Sequence, residues 1–140
     1  MTDLEANKRL ARDFFVALGA FDVETMRALL TEDATWWVAN TTGISGSYTR
    51  ERFLGNIAAF ALDAVGSLDF TFNDDWTAEE DRVTCTAKGH LPLKDGKVYA
   101  SDYSFILRVR DGKIAGGKEY FDSAQLNALF FAVDQPESGA

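Results

Sequence analysis

The sequence predicts an α+β fold in which helices pack on one face of a curved antiparallel sheet. Three observations carry that prediction. Apolar residues recur at helical spacing in segments before residue 64, the period drops to two beyond Gly66, and two Asp-Gly pairs then sit between extended runs.

Leu10, Phe14, Phe15 and Leu18 mark one face of a first helix that follows the acidic residues Asp3 and Glu5 and stops at Gly19. Asp22 is placed to cap a second helix carrying Val23, Met26, Leu29 and Leu30, and a strand is expected over Ala34 to Val38. The Gly-, Ser- and Thr-rich stretch from Asn40 to Tyr48 reads as a loop. Thr49 then caps a third helix with Phe53, Ile57 and Phe60 on one face.

Leu68, Phe70 and Phe72 alternate with Asp69, Thr71 and Asn73, which predicts a strand reaching about Trp76. Lys94-Asp95-Gly96-Lys97 and Arg110-Asp111-Gly112-Lys113 are hairpin signals, because Asp-Gly tolerates the positive φ that tight hairpin turns require. They divide the rest into strands near 82–91, 98–109 and 113–121. Asp122 stands three residues before Gln125, a capping-box-like spacing that opens a last helix with Leu126, Leu129, Phe130 and Phe131. One domain is expected over 1–133. The tail 134–140 has no apolar anchor and is expected to be disordered.

A chain of 140 residues, 46% of them hydrophobic, can bury one real core. Eleven Phe, four Tyr and three Trp suit either an aromatic-lined cavity or plain aromatic packing. The net charge of −8 repels phosphate backbones and anionic lipid, so nucleic acid and membrane surfaces are not expected partners. A lone cysteine, Cys85, cannot form an internal disulfide, and the chain starts without a basic, apolar signal segment; both lead to a cytoplasmic expectation. No apolar run approaches the roughly 20 residues of a membrane span.

The segment Gly112 to Asp122, GKIAGGKEYFD, resembles the last strand of the nuclear transport factor 2-like superfamily, which includes ketosteroid isomerases, limonene epoxide hydrolases and SnoaL-type polyketide cyclases. The resemblance runs from the first helix to Phe131, with Glu32-Asp33-Ala34-Thr35, Tyr99 to Phe105 and Arg108 to Ile114 as its other specific parts. It implies a cone-shaped domain: a curved sheet against three N-terminal helices and a C-terminal one, enclosing one cavity for a small, largely apolar ligand. It also implies a homodimer and chemistry without a cofactor.

Ketosteroid isomerases place a tyrosine, a general-base aspartate and a protonated aspartate where this chain has Phe14, Val38 and, approximately, Phe105. None of these three moves a proton. By comparison with limonene epoxide hydrolases, Glu119 falls at a catalytic carboxylate, while Ala87 and Gly89 stand where an arginine and its partner aspartate belong. Asp122 lies ten residues after Gly112, as the acid/base aspartate of SnoaL-type cyclases does; it equally reads as a helix N-cap.

Period two puts Glu119 on one face with Gly117 and Phe121, and Lys118 and Tyr120 on the other. Gly117 would leave room in the cavity. A carboxylate buried among aromatic rings has a raised pKa, about 1.4 kcal/mol per unit between protonation states, which suits acid/base work. The alternative for Glu119 is a structural ion pair with Lys88 or a hydrogen bond to a tyrosine. Tyr99, Ser101, Tyr103 and Phe105 share one face, which by resemblance lines the cavity; the two phenols either orient a ligand oxygen or seal the core. Trp36 is expected as a cavity wall.

His90 is the sole histidine: a solvated hairpin residue or, were its strand shifted by one, a cavity partner of Glu119. One histidine without a cysteine or carboxylate cluster predicts no metal site. The functional expectation is a small-molecule-binding protein, with isomerase, cyclase or hydratase/hydrolase chemistry through Glu119, aided by Asp122 or His90. The alternative is a non-catalytic binding or dimeric interaction protein. Apolar residues expected on both faces of the last three long strands point to a dimer through the outer sheet face.

Overall fold

The computed structural model describes residues 3–39 and 41–131. The anticipated tail 134–140 lies outside the described residues. In chain order the elements are α1 (Leu4–Gly19), α2 (Val23–Leu29), β1 (Leu30–Val38), β2 (Gly46–Thr49), α3 (Arg50–Asp63), β3 (Asp69–Phe72), β4 (Thr77–Glu79), β5 (Arg82–Pro92), β6 (Val98–Arg110), β7 (Lys113–Phe121) and α4 (Ser123–Phe130).

Each helix begins where a short polar side chain can satisfy a free backbone donor. Asp3 accepts from the N–H of Ala6, Asp22 from Thr25, Thr49 from Arg52 and Asp122 from Gln125. No helix among the described residues is long and apolar enough to cross a membrane.

The seven strands form one curved sheet in the order β2-β1-β7-β6-β5-β3, with β4 also pairing to β5. Its long strands β5, β6 and β7 are an antiparallel meander. β1 runs parallel to β7, however, so the sheet is mixed rather than wholly antiparallel. The stretch read as a loop contains β2, which pairs with β1 from Thr35 and Thr49 to Val38 and Gly46. β3 ends sooner than anticipated, at Phe72, because Asp74 adopts a φ of 59° and Asp75 turns to accept the Thr86 N–H. At the last hairpin Asp111 and Gly112 have φ of 53° and 73°, the two positive values of a tight turn matched to strand twist.

A bulge in β7 decides what faces inward. Arg108 pairs with Gly116 but Val109 pairs with Ile114, so Ala115 is the extra residue and the alternation slips by one. Ile114 and Gly117 consequently both point into the core, and Glu119 and Phe121 follow Gly117. Helices cover this inner face. Phe15 of α1 lies 4.3 Å from the Phe105 ring, and Trp36 of β1 stacks on Phe53 of α3 at 4.4 Å and 8°. Such pairs contribute about 0.5–1.5 kcal/mol each beyond the area they bury.

The outer face is more polar than anticipated. Along β5 it carries Thr84, Thr86, Lys88 and His90, and on β6 Asp102, Ser104 and Arg108. Among the described residues its large apolar side chains include Trp37, Val98, Ile106 and Tyr120.

Candidate functional site

Between the helices and the inner face lies an internal pocket of about 70 Å³. Leu18 and Phe21 close it at the α1–α2 turn, Ile44 from the loop before β2, Ile57 and Phe60 from α3, and Leu126 from α4. Phe21 sits at a φ of 55°, an uncommon conformation for a bulky side chain, held by its N–H to Leu18 and by Asp22 N–H to Ala17. The sheet contributes Leu68, Phe70, Leu91, Tyr99, Tyr103, Phe105, Glu119 and Phe121.

Within this lining the polar groups are one carboxylate and two phenols. Glu119 Oε1 accepts the indole N–H of Trp36 at 2.9 Å. Glu119 lines the pocket, and among the described residues no side chain donates to its Oε2 and no buried side-chain oxygen or nitrogen lacks a partner, so Oε2 is not sealed away from the pocket. Loss of water raises the Glu119 pKa to about 7, with the Trp36 hydrogen bond offsetting part of the rise. Glu119 keeps some accessible surface. That surface borders a partly open but mostly apolar pocket, whose lining does not supply the solvation of bulk water, so desolvation dominates.

Tyr99 and Tyr103 share a hydrogen bond of 2.7 Å between their hydroxyls. Burial pushes Tyr99 up to about 12, against the opposing effect of that bond, and drives Tyr103 well above its ordinary value. Both stay neutral; one hydroxyl donates to the other, which leaves one phenol proton for a ligand. Tyr103 stacks flat on Phe105 at 5.1 Å and 9°. Its ring occupies the space over Gly89, where a Cβ would come within 2.7 Å of it. Small residues at 87 and 89 therefore make room for a phenol.

The anticipated residues separate into three sets. Glu119, Tyr99, Tyr103, Phe105 and Phe121 border the pocket. Phe14, Trp36 and Val38 are buried one layer behind it, with Phe14 against Trp36 at 5.6 Å. Gly117 opens no cavity: a Cβ there would lie 2.2 Å from the Trp36 ring, so the indole fills the space the glycine leaves. Ser101 is buried and accepts the Asp122 N–H at 2.9 Å, anchoring the start of α4 behind Tyr99 without lining the pocket itself. Asp122 is exposed and caps α4. His90 is exposed on the outer face, paired with Ala100 and Asp69 and not shifted toward Glu119. Lys88 likewise faces outward, paired with Asp102 at 3.9 Å. Sequence reasoning missed nine pocket residues: Leu18, Ile57, Phe60, Leu68, Phe70 and Leu126 were read only as apolar faces of helices or strands, Ile44 fell in the stretch read as a loop, and Phe21 and Leu91 carried no signal of their own.

An α+β cone with one internal pocket is the nuclear transport factor 2-like architecture, and solved structures agree. Bal32a, from a soil-derived mobile gene cassette, superposes with a TM-score of 0.80 at 19% identity, covering 92% of this chain and 99% of that one. PrhC from Penicillium brasilianum gives 0.81 at 18% identity, covering 89% and 85%. A ketosteroid isomerase-like fold protein from Catenulispora acidiphila, in complex with trimethylamine, gives 0.72 at 19% identity, covering 85% and 89%. Residues 11–116 match the SnoaL-like domain, and the chain belongs to that family. The match stops before Glu119. No curated protein matches in sequence.

Proposed function

We propose that this SnoaL-like protein binds a small, largely apolar ligand in its pocket and that Glu119 exchanges a proton with it, without a cofactor. The carrying observation is the Glu119 carboxylate: it borders a largely apolar pocket, one oxygen is fixed by Trp36, and burial raises its pKa to about 7. A group so poised serves as acid or base in the same solution. Tyr99 and Tyr103 orient a ligand oxygen or nitrogen beside it. The relative from Catenulispora acidiphila, bound to trimethylamine, supports a compact ligand.

Glu119→Gln tests the reading. It is expected to keep the fold and lower turnover by about two to four orders of magnitude, the usual contribution of a positioned proton carrier. Unchanged turnover of a ligand that the pocket demonstrably binds would remove Glu119 from the chemistry. The rival reading, binding without catalysis, is favoured by apolar Phe14 and Val38 and by small Ala87 and Gly89 at positions where relatives carry catalytic groups. Ligand affinity with no turnover by any variant would select it.

We further propose a homodimer through the outer sheet face. There Trp37, Ile106 and Lys118 border an open groove of about 530 Å³ on an otherwise polar surface. Light scattering that returned a monomer mass at micromolar concentration would sink this.

A further inference from the structure

The pocket lining holds one ionisable acid, Glu119, and no Lys, Arg or His. We propose that the pocket selects a small aliphatic amine in its ammonium form, with the nitrogen against Glu119 Oε2 and the alkyl body among the surrounding rings. This rests on the pocket being the ligand site.

Three independent features favour a cation over a neutral or anionic ligand. An ionised carboxylate in an apolar space is costly without a counter-charge, and among the described residues the one side-chain donor to Glu119 is the neutral Trp36 N–H. The rings of Tyr99, Tyr103, Phe105, Phe121 and Phe60 line the space, and an aromatic face attracts an ammonium group within about 6 Å. The whole chain carries a net charge of −8, which lowers the potential felt by any cation that enters. Size sets the other limit. At about 70 Å³ the pocket suits a compact alkyl group; benzene occupies a cavity of roughly 150 Å³.

The titratable groups near Glu119 are Tyr99 and Tyr103 on β6, both neutral through the working range, and the exposed Asp122 at the start of α4. The lining residues of α1, α3 and β3 add none. Glu119 with its pKa near 7 therefore governs the pH profile: below that value an entering ammonium ion must displace the carboxyl proton into solvent. Apparent affinity should then fall about tenfold per pH unit below 7 and level off above it, until the amine loses its own proton.

The test uses three small probes of matched size, ethylamine, ethanol and acetate, titrated into the whole protein by NMR chemical shift. At about pH 8 the amine is expected to bind at least roughly tenfold tighter than the alcohol, with no acetate binding. Glu119→Gln should erase the amine's advantage. The wild-type pH profile gives a second readout if that variant folds poorly. Alcohol binding as tight as amine binding, a preference that survives Glu119→Gln, or a flat profile through pH 7 each overturns the amine assignment while leaving the pocket as a ligand site. Failure of all three probes to bind overturns both.

Discussion

Lys88 and Asp102 face each other across β5 and β6 on the outer side of the sheet at 3.9 Å, while Glu119 and Trp36 meet across β7 and β1 on the inner side at 2.9 Å. The outer pair is 71% and 82% exposed, so its attraction is screened and worth about 0–1 kcal/mol. The inner contact lies beside an apolar pocket and leaves a carboxyl group poised near pH 7. Lys118 and Glu119 make the same comparison within one strand: the lysine lies over the half-buried Trp37 ring, and its neighbour is held by a buried indole. Reactivity in this fold follows the face a side chain occupies, because solvent differs between the faces far more than residue chemistry does.

The strongest way to break the comparison is at two adjacent glycines. Gly117→Ala would push a Cβ to 2.2 Å from the Trp36 ring and displace the indole that fixes Glu119. A loss of about 3 kcal/mol in denaturant unfolding is expected, at the upper end for overpacking. Gly116→Ala meets only Thr35, its carbonyl at 3.3 Å and its hydroxyl at 3.6 Å, and a change within about 1 kcal/mol is expected. Equal effects from the two would mean that Trp36 is not seated as described.

The pH dependence of stability sharpens it next. Glu119 has a folded pKa of about 7 against an ordinary value of 4.5, so the native state holds the proton more tightly. Its contribution is fully present below about pH 4.5, shrinks as pH rises through 7 and is constant above, a total of about 3 kcal/mol. The lowered carboxyl groups Asp22, Asp33, Glu51, Asp75 and Asp81 act in the opposite sense, and only at lower pH. Unfolding free energies of wild type and Glu119→Gln between pH 4.5 and 7 should therefore diverge in slope. Parallel curves would place the carboxylate in water.

The smallest effect is expected at His90. Exposed on the outer face, it should tolerate His90→Gln within about 0.5 kcal/mol and with pocket affinity unchanged. A clear loss of ligand binding would show that the outer face communicates with the pocket.

Local signals were legible without coordinates. The caps at Asp22, Thr49 and Asp122 and the turn at Gly112 are each specified within four residues, since a short polar side chain or an Asp-Gly pair satisfies its neighbours by itself. The inward direction of Glu119 was legible from its alternation with Gly117 and Phe121. Its joint inward placement with Ile114 was not, because the bulge at Ala115 breaks the alternation between them. Partners distant in the chain were hidden as well: β1 running beside β7, β2 formed from a Gly- and Ser-rich run, and the Trp36 indole lying over Gly117 eighty-one positions later. The sequence by itself determined which segments are helix or strand and which side chains are apolar, because those depend on neighbours along the backbone. Only the tertiary structure decided that the space beside Gly117 belongs to Trp36, that Tyr103 fills the space over Gly89, and that the enclosed volume opens onto Glu119, because packing is settled between residues that meet only once the sheet has curled.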